Sequence, residues 1–283
     1  MTFDAVAYKA TTKQQWEDAA EAWHRWGPTL EEWLGRATDA MLDAAGVAPG
    51  SRVLDVAGGA GGQAMAAARR TGPDGRVMIT DVSPTILSYA ARAAGESGLR
   101  QVTTCEVDGE EIGSTWSEEF DAAISRLGLI YFPDRTRALH GIRSSLRDGG
   151  RFAAVVYSTA DRNAFFAEPV ALIRARAGLP APLPGQPGPF SLGDAAVARA
   201  ALEDAGFRAV KVETLDAPLR LPSAADCVRF ERESFGALHQ MLSGVDEHDR
   251  ERVWADVASA LQAYETEAGF VGPCELHVVS GSR

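Results

Sequence analysis

Short apolar runs alternate with amphipathic stretches through the middle of the chain. Residues 53–56, 76–80, 102–107, 120–125 and 151–157 are rich in Val, Ile and Ala, and the segments between them carry apolar residues at helical spacing. Continuous apolar runs of this length are typical of strands that are buried on both faces of a parallel sheet. Five strands that alternate with helices predict a doubly wound α/β sheet.

The flanks of this repeating region have a different pattern. Residues 1–46 predict two helices, of which the first begins near Gln14, and they hold four tryptophans. After the fifth strand, residues 158–206 combine an apolar helix with a stiff, proline-rich loop. Residues 207–215 predict a sixth strand, and residues 275–280 predict a last strand. The long intervening segment predicts two or three helices.

The first strand runs into a loop with almost no side chains, AGGAGG at residues 57–62, and a helix follows. Glycines let a ligand lie against bare peptide groups, and the helix N-terminus adds a slightly positive ledge. Asp81 ends the second strand, 20 residues beyond Gly61, where its carboxylate can accept both hydroxyls of an adenosine ribose. This unit predicts a binding site for the nucleoside part of a cofactor. The alternative, a tight turn that binds nothing, does not explain two acids at strand ends.

Two classes of cofactor share this geometry. Gly59, Gly61 and Ala64 satisfy the dinucleotide fingerprint, which favours NAD or NADP. Asp55 argues against these, because a pyrophosphate over the loop would be repelled by an acid at its entrance. A ligand with an amino group and a sulfonium cation would gain from that acid. S-adenosylmethionine has both groups.

Three segments together resemble a known family. VLDVAGGAGG, ITDVSPTILSYAARAA and VDGEEI resemble the first three motifs of class I S-adenosylmethionine-dependent methyltransferases. The pattern is most similar to the ubiquinone/menaquinone-biosynthesis methyltransferases and their relatives in secondary metabolism. The resemblance covers roughly residues 50–157 and implies a mostly parallel, seven-stranded Rossmann-like sheet. Its motifs identify the cofactor and say little about the substrate.

The resemblance also implies which residues contact the cofactor. Asp108, after the third strand, is expected to reach the adenine amine. Arg126, after the fourth strand, is a charge beside an apolar loop and needs a partner, which a cofactor carboxylate or a loop acid would supply. The full predicted set is Asp55, Ala57, Gly58, Gly59, Gly61, Gln63, Asp81, Val82, Ser83, Asp108, Gly109, Ser125, Arg126 and Leu127.

On this basis the chain divides into six segments within one methyltransferase domain. The expected division is an N-terminal helical lid (1–46), a cofactor-binding core (47–157), two substrate-covering insertions (158–206 and 216–273) and the final strands (207–215 and 274–283). The alternative interpretation of the tryptophan-rich lid is simple aromatic packing, and the two interpretations are compatible.

Methyl transfer is an in-line displacement, so the protein aligns the acceptor and, in some cases, removes a proton. Glu168 lies inside the apolar run AFFAEPVALI, where burial would make it a proton acceptor, although a solvated glutamate near a helix N-terminus has the same pattern. Tyr131 is the candidate for orienting a substrate oxygen, and its alternative is core packing. The five histidines share no metal-like spacing, so no metal is predicted.

Charge and cysteine content limit the classes of partner and the cellular compartment that we expect for this protein. The chain has 28 basic and 39 acidic residues, a net charge of −11, which disfavours nucleic acid and anionic membranes. Three separated cysteines suggest no disulfide framework. The N-terminus lacks a signal-like pattern and no run is long enough to span a bilayer, which predicts a cytoplasmic protein. A homo-oligomer is compatible with the sequence.

The sequence therefore predicts methyl transfer from S-adenosylmethionine to a small, apolar or aromatic metabolite, with a carbon, oxygen or nitrogen acceptor atom left open. Two alternatives remain at this point. One is an NAD(P)-dependent oxidoreductase, and the other is an S-adenosylmethionine-binding protein that uses the fold for other chemistry, such as a cyclisation.

Overall fold

The computed structural model describes residues 3–183 and 185–283, and its centre is a seven-stranded sheet in the order β3-β2-β1-β4-β5-β10-β6. Strands β1 to β5 run parallel, whereas β10 pairs antiparallel with both β5 and β6. The predicted mostly parallel, seven-stranded α/β sheet is confirmed. The strands of this sheet are β1 (Arg52–Val56), β2 (Arg76–Asp81), β3 (Val102–Glu106), β4 (Phe120–Arg126), β5 (Leu146–Tyr157), β6 (Arg208–Asp216) and β10 (Glu275–Ser282).

The helices cover both faces of the sheet. Helix α2 packs on β5 and β10, α4 packs on β2 and β3, α6 packs on β5, and α8 packs on β6 and β10. Ser83 caps α4 through a hydrogen bond from the Ile86 amide (3.1 Å), so α4 starts directly after β2. The helices are α1 (Ala5–Arg25), α2 (Gly27–Ala44), α3 (Gly62–Thr71), α4 (Pro84–Glu96), α5 (Ile112–Thr115), α6 (Arg135–Ser145), α7 (Ala164–Arg176), α8 (Ala195–Asp204), α9 (Ala224–Ser234), α10 (Gly236–Met241) and α11 (Glu247–Leu261).

Helix α1 lies across other helices rather than on the sheet. It packs against α4, α9 and α10, at the carboxyl ends of the parallel strands. It begins at Ala5, earlier than the predicted Gln14, because Asp4 caps it by accepting from the amides of Val6 and Ala7 (both 3.0 Å). The first helix therefore reaches farther over the sheet edge than its apolar pattern indicated.

The segment between β6 and β10 contains more than helices. In addition to α9, α10 and α11 it forms a three-stranded antiparallel sheet in the order β7-β9-β8. The strands are β7 (Leu219–Leu221), β8 (Glu265–Thr266) and β9 (Gly269–Gly272). Strands this short carry no periodic signal in the sequence. The pairing of Leu219 with Gly272 brings the chain back to the main sheet, where β10 begins.

Candidate active site

A cavity of about 110 Å³ lies at the carboxyl ends of the parallel strands and beneath α1. In doubly wound sheets this edge, where the strand order reverses, is the usual ligand site. One end of the cavity is polar and is formed by the glycine loop and the ends of β2 and β3. The other end is aromatic and is formed by α1, the loop after β4, the end of β5 and Phe235.

The glycine loop leaves no room for side chains. Gly61 precedes α3 with a φ of +86°, a conformation that glycine adopts without strain. A Cβ at Gly58 would lie 2.5 Å from Cγ2 of Ile79 and 2.6 Å from Oδ2 of Asp55. The backbone of the loop therefore forms the cavity wall itself, because Gly58 and Gly59 both line it.

Asp81 places a carboxylate at the edge of this wall. Its Oδ2 accepts the Gly59 amide (3.0 Å) and its Oδ1 accepts the Ser83 amide (3.1 Å), which fixes the side chain at the end of β2. It is only 9% exposed, and burial raises its pKa to about 6 although the backbone amides act in the opposite direction. Each oxygen retains a lone pair, so the group can still accept hydrogen bonds from a ligand's hydroxyls.

Asp55 lies directly behind the loop, beneath Gly58. Its Oδ1 accepts from Nε2 of Gln63 (3.2 Å), and its buried Oδ2 has no hydrogen-bond partner among the described residues. Burial raises the pKa of Asp55 to about 7, and the hydrogen bond from Gln63 and the positive charge of Arg126 offset only part of this effect. Asp55 is therefore a poorly compensated acid one layer below the cavity surface.

Arg126, the last residue of β4, brings a positive charge to the opposite side of the loop. Its Nη1 donates to Oγ1 of Thr38 on α2 (2.9 Å). Burial lowers its pKa to about 10, although Asp55 and Glu31 attract the positive charge. The guanidinium lines the cavity, so a ligand anion can reach it.

Ion pairs fasten α1 over the end of β3. Nζ of Lys9 contacts Oδ2 of Asp108 (2.8 Å) and Oε2 of Glu110 (2.5 Å), and Lys13 contacts Glu106 (2.8 Å). Glu110 is only 6% exposed, so its pairing with Lys9 is better shielded from water than the others. Asp108 also accepts the Glu110 amide (3.0 Å), which orients it in the turn after β3.

Aromatic side chains enclose the other end of the cavity. Trp16 lies edge-on to Tyr131 (ring centroids 6.0 Å apart) and to Trp23 (5.4 Å). Trp23 in turn contacts Phe235 (5.9 Å), which stands between α9 and α10. Burial raises the pKa of Tyr131, so its phenol is a neutral hydroxyl near pH 7. This end suits a flat, apolar body with a small number of oxygens.

Most of the predicted cofactor residues lie together. Ten line the cavity, namely Ala57, Gly58, Gly59, Gln63, Asp81, Val82, Asp108, Gly109, Arg126 and Leu127. The remaining four, Asp55, Gly61, Ser83 and Ser125, lie within two residues of this wall in the sequence. Tyr131 also lines the cavity.

Glu168 is the predicted residue that the structure does not bring to the others. It is half-buried on α7, accepts a hydrogen bond from the hydroxyl of Tyr264, and is absent from the part of the cavity wall that the described residues form. A role as a base has no geometric support there. Sequence reasoning missed Lys9, Tyr157 and Phe235, which line the cavity from three separate segments. Only the position of Tyr157 at the end of a strand was a usable signal.

The residues present fit a cofactor with a nucleoside and an amino-acid end. Asp81 offers acceptors for ribose hydroxyls, Arg126 lines the cavity where a ligand carboxylate can reach it, and the Asp55 carboxyl lies behind the loop. A pyrophosphate would find an acid below it. Within residues 3–183 and 185–283 there is no cluster of side chains that could hold a metal ion. The helices in the same ranges include none with the length and apolar character needed to cross a bilayer.

Comparisons with known proteins agree with this fit. Residues 33–169 match the model of the ubiE/COQ5 methyltransferase family. The aklanonic acid methyltransferase DauC of Streptomyces sp. strain C5 is 29% identical over 147 residues, which is 52% of this chain and 65% of DauC. The ubiquinone/menaquinone biosynthesis C-methyltransferase UbiE of Bordetella parapertussis is 36% identical over 114 residues, which is 40% of this chain and 43% of UbiE.

The likeness to solved structures concerns the fold. The [4+2]-cyclase SpnF superposes with a TM-score of 0.54 and 21% identity, over 88% of this chain and 80% of SpnF. The chain spans less than two thirds of the length of DauC and of UbiE. The oxidoreductase alternative is not favoured by any of these matches. The motifs, the sheet order and the match over residues 33–169 together make the chain similar to the class I S-adenosylmethionine-dependent methyltransferases.

Proposed function

We propose that this protein transfers the methyl group of S-adenosylmethionine to a small, apolar or aromatic metabolite, without a metal. The observation that carries the proposal is a continuous cavity with one polar and one aromatic end. The side chains and backbone groups of the polar end match the chemistry of a nucleoside and an amino acid, and the rings of the aromatic end match a flat apolar acceptor. DauC is named as a methyltransferase of aklanonic acid, and UbiE as a C-methyltransferase of ubiquinone and menaquinone biosynthesis. Both names agree with an aromatic acceptor, and that of DauC agrees with a role in secondary metabolism.

The residues of the chain have distinct roles in this proposal. Asp81 accepts the ribose hydroxyls, and Asp108 and Gly109 hold the adenine. The backbone of Gly58 and Gly59 supports the amino-acid end, and Arg126 pairs with its carboxylate. The bound cofactor supplies a methyl group on a sulfonium, which is reactive without further activation.

At the aromatic end, the protein positions the acceptor and excludes water. The flat acceptor is held in line with the methyl group by Trp16, Trp23 and Phe235. This orientation of the two reactants lowers the barrier to methyl transfer. Tyr131 orients an acceptor oxygen. The net charge of −11 supports a small molecule rather than nucleic acid as the acceptor.

The first experiment is a calorimetric titration with S-adenosylhomocysteine, NAD and NADP of the wild type and of Asp81→Ala. We expect S-adenosylhomocysteine alone to bind, and the variant to bind it about 10- to 100-fold more weakly, since hydrogen bonds to a charged group contribute about 1.5–3 kcal/mol. Asp148→Ala, at a side chain that is 98% exposed, is the control and should bind like the wild type.

Binding of NAD or NADP in place of S-adenosylhomocysteine would refute the proposal. If the cofactor binds as expected, incubation of the protein and S-adenosylmethionine with quinols, phenols and prenyl compounds follows. Release of S-adenosylhomocysteine with one acceptor class supports methyl transfer. Binding without release for any acceptor would favour a role in which the cofactor is held but not consumed.

A further inference from the structure

Tyr157 is a polar group in the aromatic end of the cavity that the family motifs do not assign. It is the last residue of β5, is only 1% exposed, and lines the cavity. Its hydroxyl is buried and has no hydrogen-bond partner in the described ranges of the chain. A buried hydroxyl without a partner destabilises the protein by about 1–3 kcal/mol. A ligand that accepts a hydrogen bond from this hydroxyl removes that penalty.

The ring of Tyr157 is held in place on several sides. It stacks on Phe166 (centroids 6.0 Å apart, 26° between planes) and on Trp33 (6.4 Å, 30°). Phe165 and Phe190 pack at 6.3 Å and 6.0 Å. A ring packed in this way has little rotational freedom, so the hydroxyl is held in a fixed position at the cavity wall.

The position of Tyr157 in the sheet separates it from the nucleoside end. Asp81 ends β2 and Tyr157 ends β5, and the sheet order β2-β1-β4-β5 places three strand spacings between them. At about 4.8 Å for each spacing this is roughly 14 Å. Tyr157 therefore lies beyond the glycine loop, on the acceptor side of the cavity, with Tyr131 of the loop after β4.

The hydroxyl is a donor under ordinary conditions. Burial raises the pKa of Tyr157 well above its usual value, and the nearby Cys274, Tyr131 and Glu231 also oppose formation of a phenolate. A neutral phenol offers one proton to an acceptor atom. The surrounding walls are apolar, so this proton is one of the few features that can distinguish one flat ligand from another.

We propose that the hydroxyl of Tyr157 donates a hydrogen bond to an oxygen of the methyl acceptor and so selects oxygen-bearing aromatic compounds over their deoxy analogues. This proposal rests on the proposed function, because it places the acceptor at the aromatic end. It names a specificity-determining residue and an acceptor class, namely phenols and quinone-type carbonyl compounds. Discrimination of this kind is strong where a site has a buried polar group that the wrong ligand leaves unpaired.

The test compares 1-naphthol with naphthalene, two flat probes that differ by one hydroxyl. Binding is followed by tryptophan fluorescence in the presence of saturating S-adenosylhomocysteine, since Trp16 and Trp23 line the cavity. We expect the wild type to bind 1-naphthol about tenfold more tightly than naphthalene. Tyr157→Phe should bind the two probes equally, with unchanged affinity for S-adenosylhomocysteine and an unchanged or higher thermal midpoint.

Three controls make the test specific. Tyr264→Phe removes a hydroxyl that contacts Glu168 away from the cavity, and should retain the wild-type preference. Tyr131→Phe and Tyr8→Phe each remove another phenol that lines the cavity. A preference that persists in Tyr157→Phe, or that is lost only in Tyr131→Phe or Tyr8→Phe, would overturn the assignment to Tyr157, and so would a wild type without preference. Failure of the proposed function is distinguishable, because it would appear first as no binding of S-adenosylhomocysteine.

Discussion

Asp55 should make the stability of the ligand-free protein depend on pH in a direction opposite to that of most acids. Its folded-state pKa of about 7 lies above its ordinary value of 3.8, because burial is poorly compensated. The folded chain then binds the proton more tightly than the unfolded chain. The stabilisation is fully present below about pH 4 and is lost as pH rises to about 7. At 1.36 kcal/mol for each pKa unit, the loss is about 4 kcal/mol, of which about 3 kcal/mol falls between pH 5 and pH 8.

Asp55→Asn removes this dependence while it keeps the size of the side chain. We expect the free energy of unfolding of the variant, relative to the wild type, to rise by about 3 kcal/mol from pH 5 to pH 8. Urea unfolding followed by circular dichroism at several pH values measures it. Asp148→Asn, the same change at a 98% exposed side chain, controls for the loss of one negative charge. A difference between Asp55→Asn and wild type that stays constant with pH would refute the reasoning.

Two further changes test the cavity wall and the helix above it. Gly58→Ala should weaken S-adenosylhomocysteine binding at least tenfold in a calorimetric titration. The added Cβ would lie 2.5 Å from Cγ2 of Ile79 and would displace the loop. Wild-type affinity in this variant would mean that the loop does not form the binding surface. Lys9→Met removes the ion pairs to Asp108 and Glu110, and should speed amide hydrogen exchange in α1 while the free energy of unfolding falls by only about 1 kcal/mol. Lys211→Met, at an exposed position on β6, is the control, and equal exchange in the two variants would contradict a fastening role for Lys9.

The sheet and the polar end of the cavity could be predicted because their signals are local. A buried parallel strand is a continuous apolar run, and a loop of glycines between such a strand and a helix is typical of a site where a ligand approaches the backbone. Asp81 ends β2 and Asp108 comes two residues after β3, so the parallel arrangement alone brings them to one edge. The same logic extends to Tyr157, whose place at the end of β5 is visible in the sequence even though its unpaired hydroxyl is not.

The fully buried carboxylate of Glu231 was missed, because the linear composition of a segment does not show which helix face is buried. Glu168 lies within an apolar run but is half-buried, with its carboxylate on Tyr264. Glu231 lies in the polar-looking run RFERESF and is fully buried, because it shares one face of α9 with Cys227 and Ser234. Burial raises the pKa of Glu231 well above its ordinary value. Glu231 is buried because α9 packs against α1 and α11. These contacts join distant parts of the chain, so no short stretch of sequence predicts them.

The two ends of the cavity come from different parts of the chain, and this determines which end lies in the region that matches the relatives. The family match over residues 33–169 contains β1 to β5 and therefore the strands and loops of the polar end, whereas Lys9 precedes it. Trp16 and Trp23 precede the matched region and Phe235 follows it, so three walls of the aromatic end are contributed by segments outside it. Under the proposed function, cofactor affinity is a property of the strands and their loops, whereas acceptor choice is set by α1 and the segment around Phe235 acting with Tyr131 and Tyr157. Chains that share the matched region can therefore bind one cofactor and still methylate different compounds.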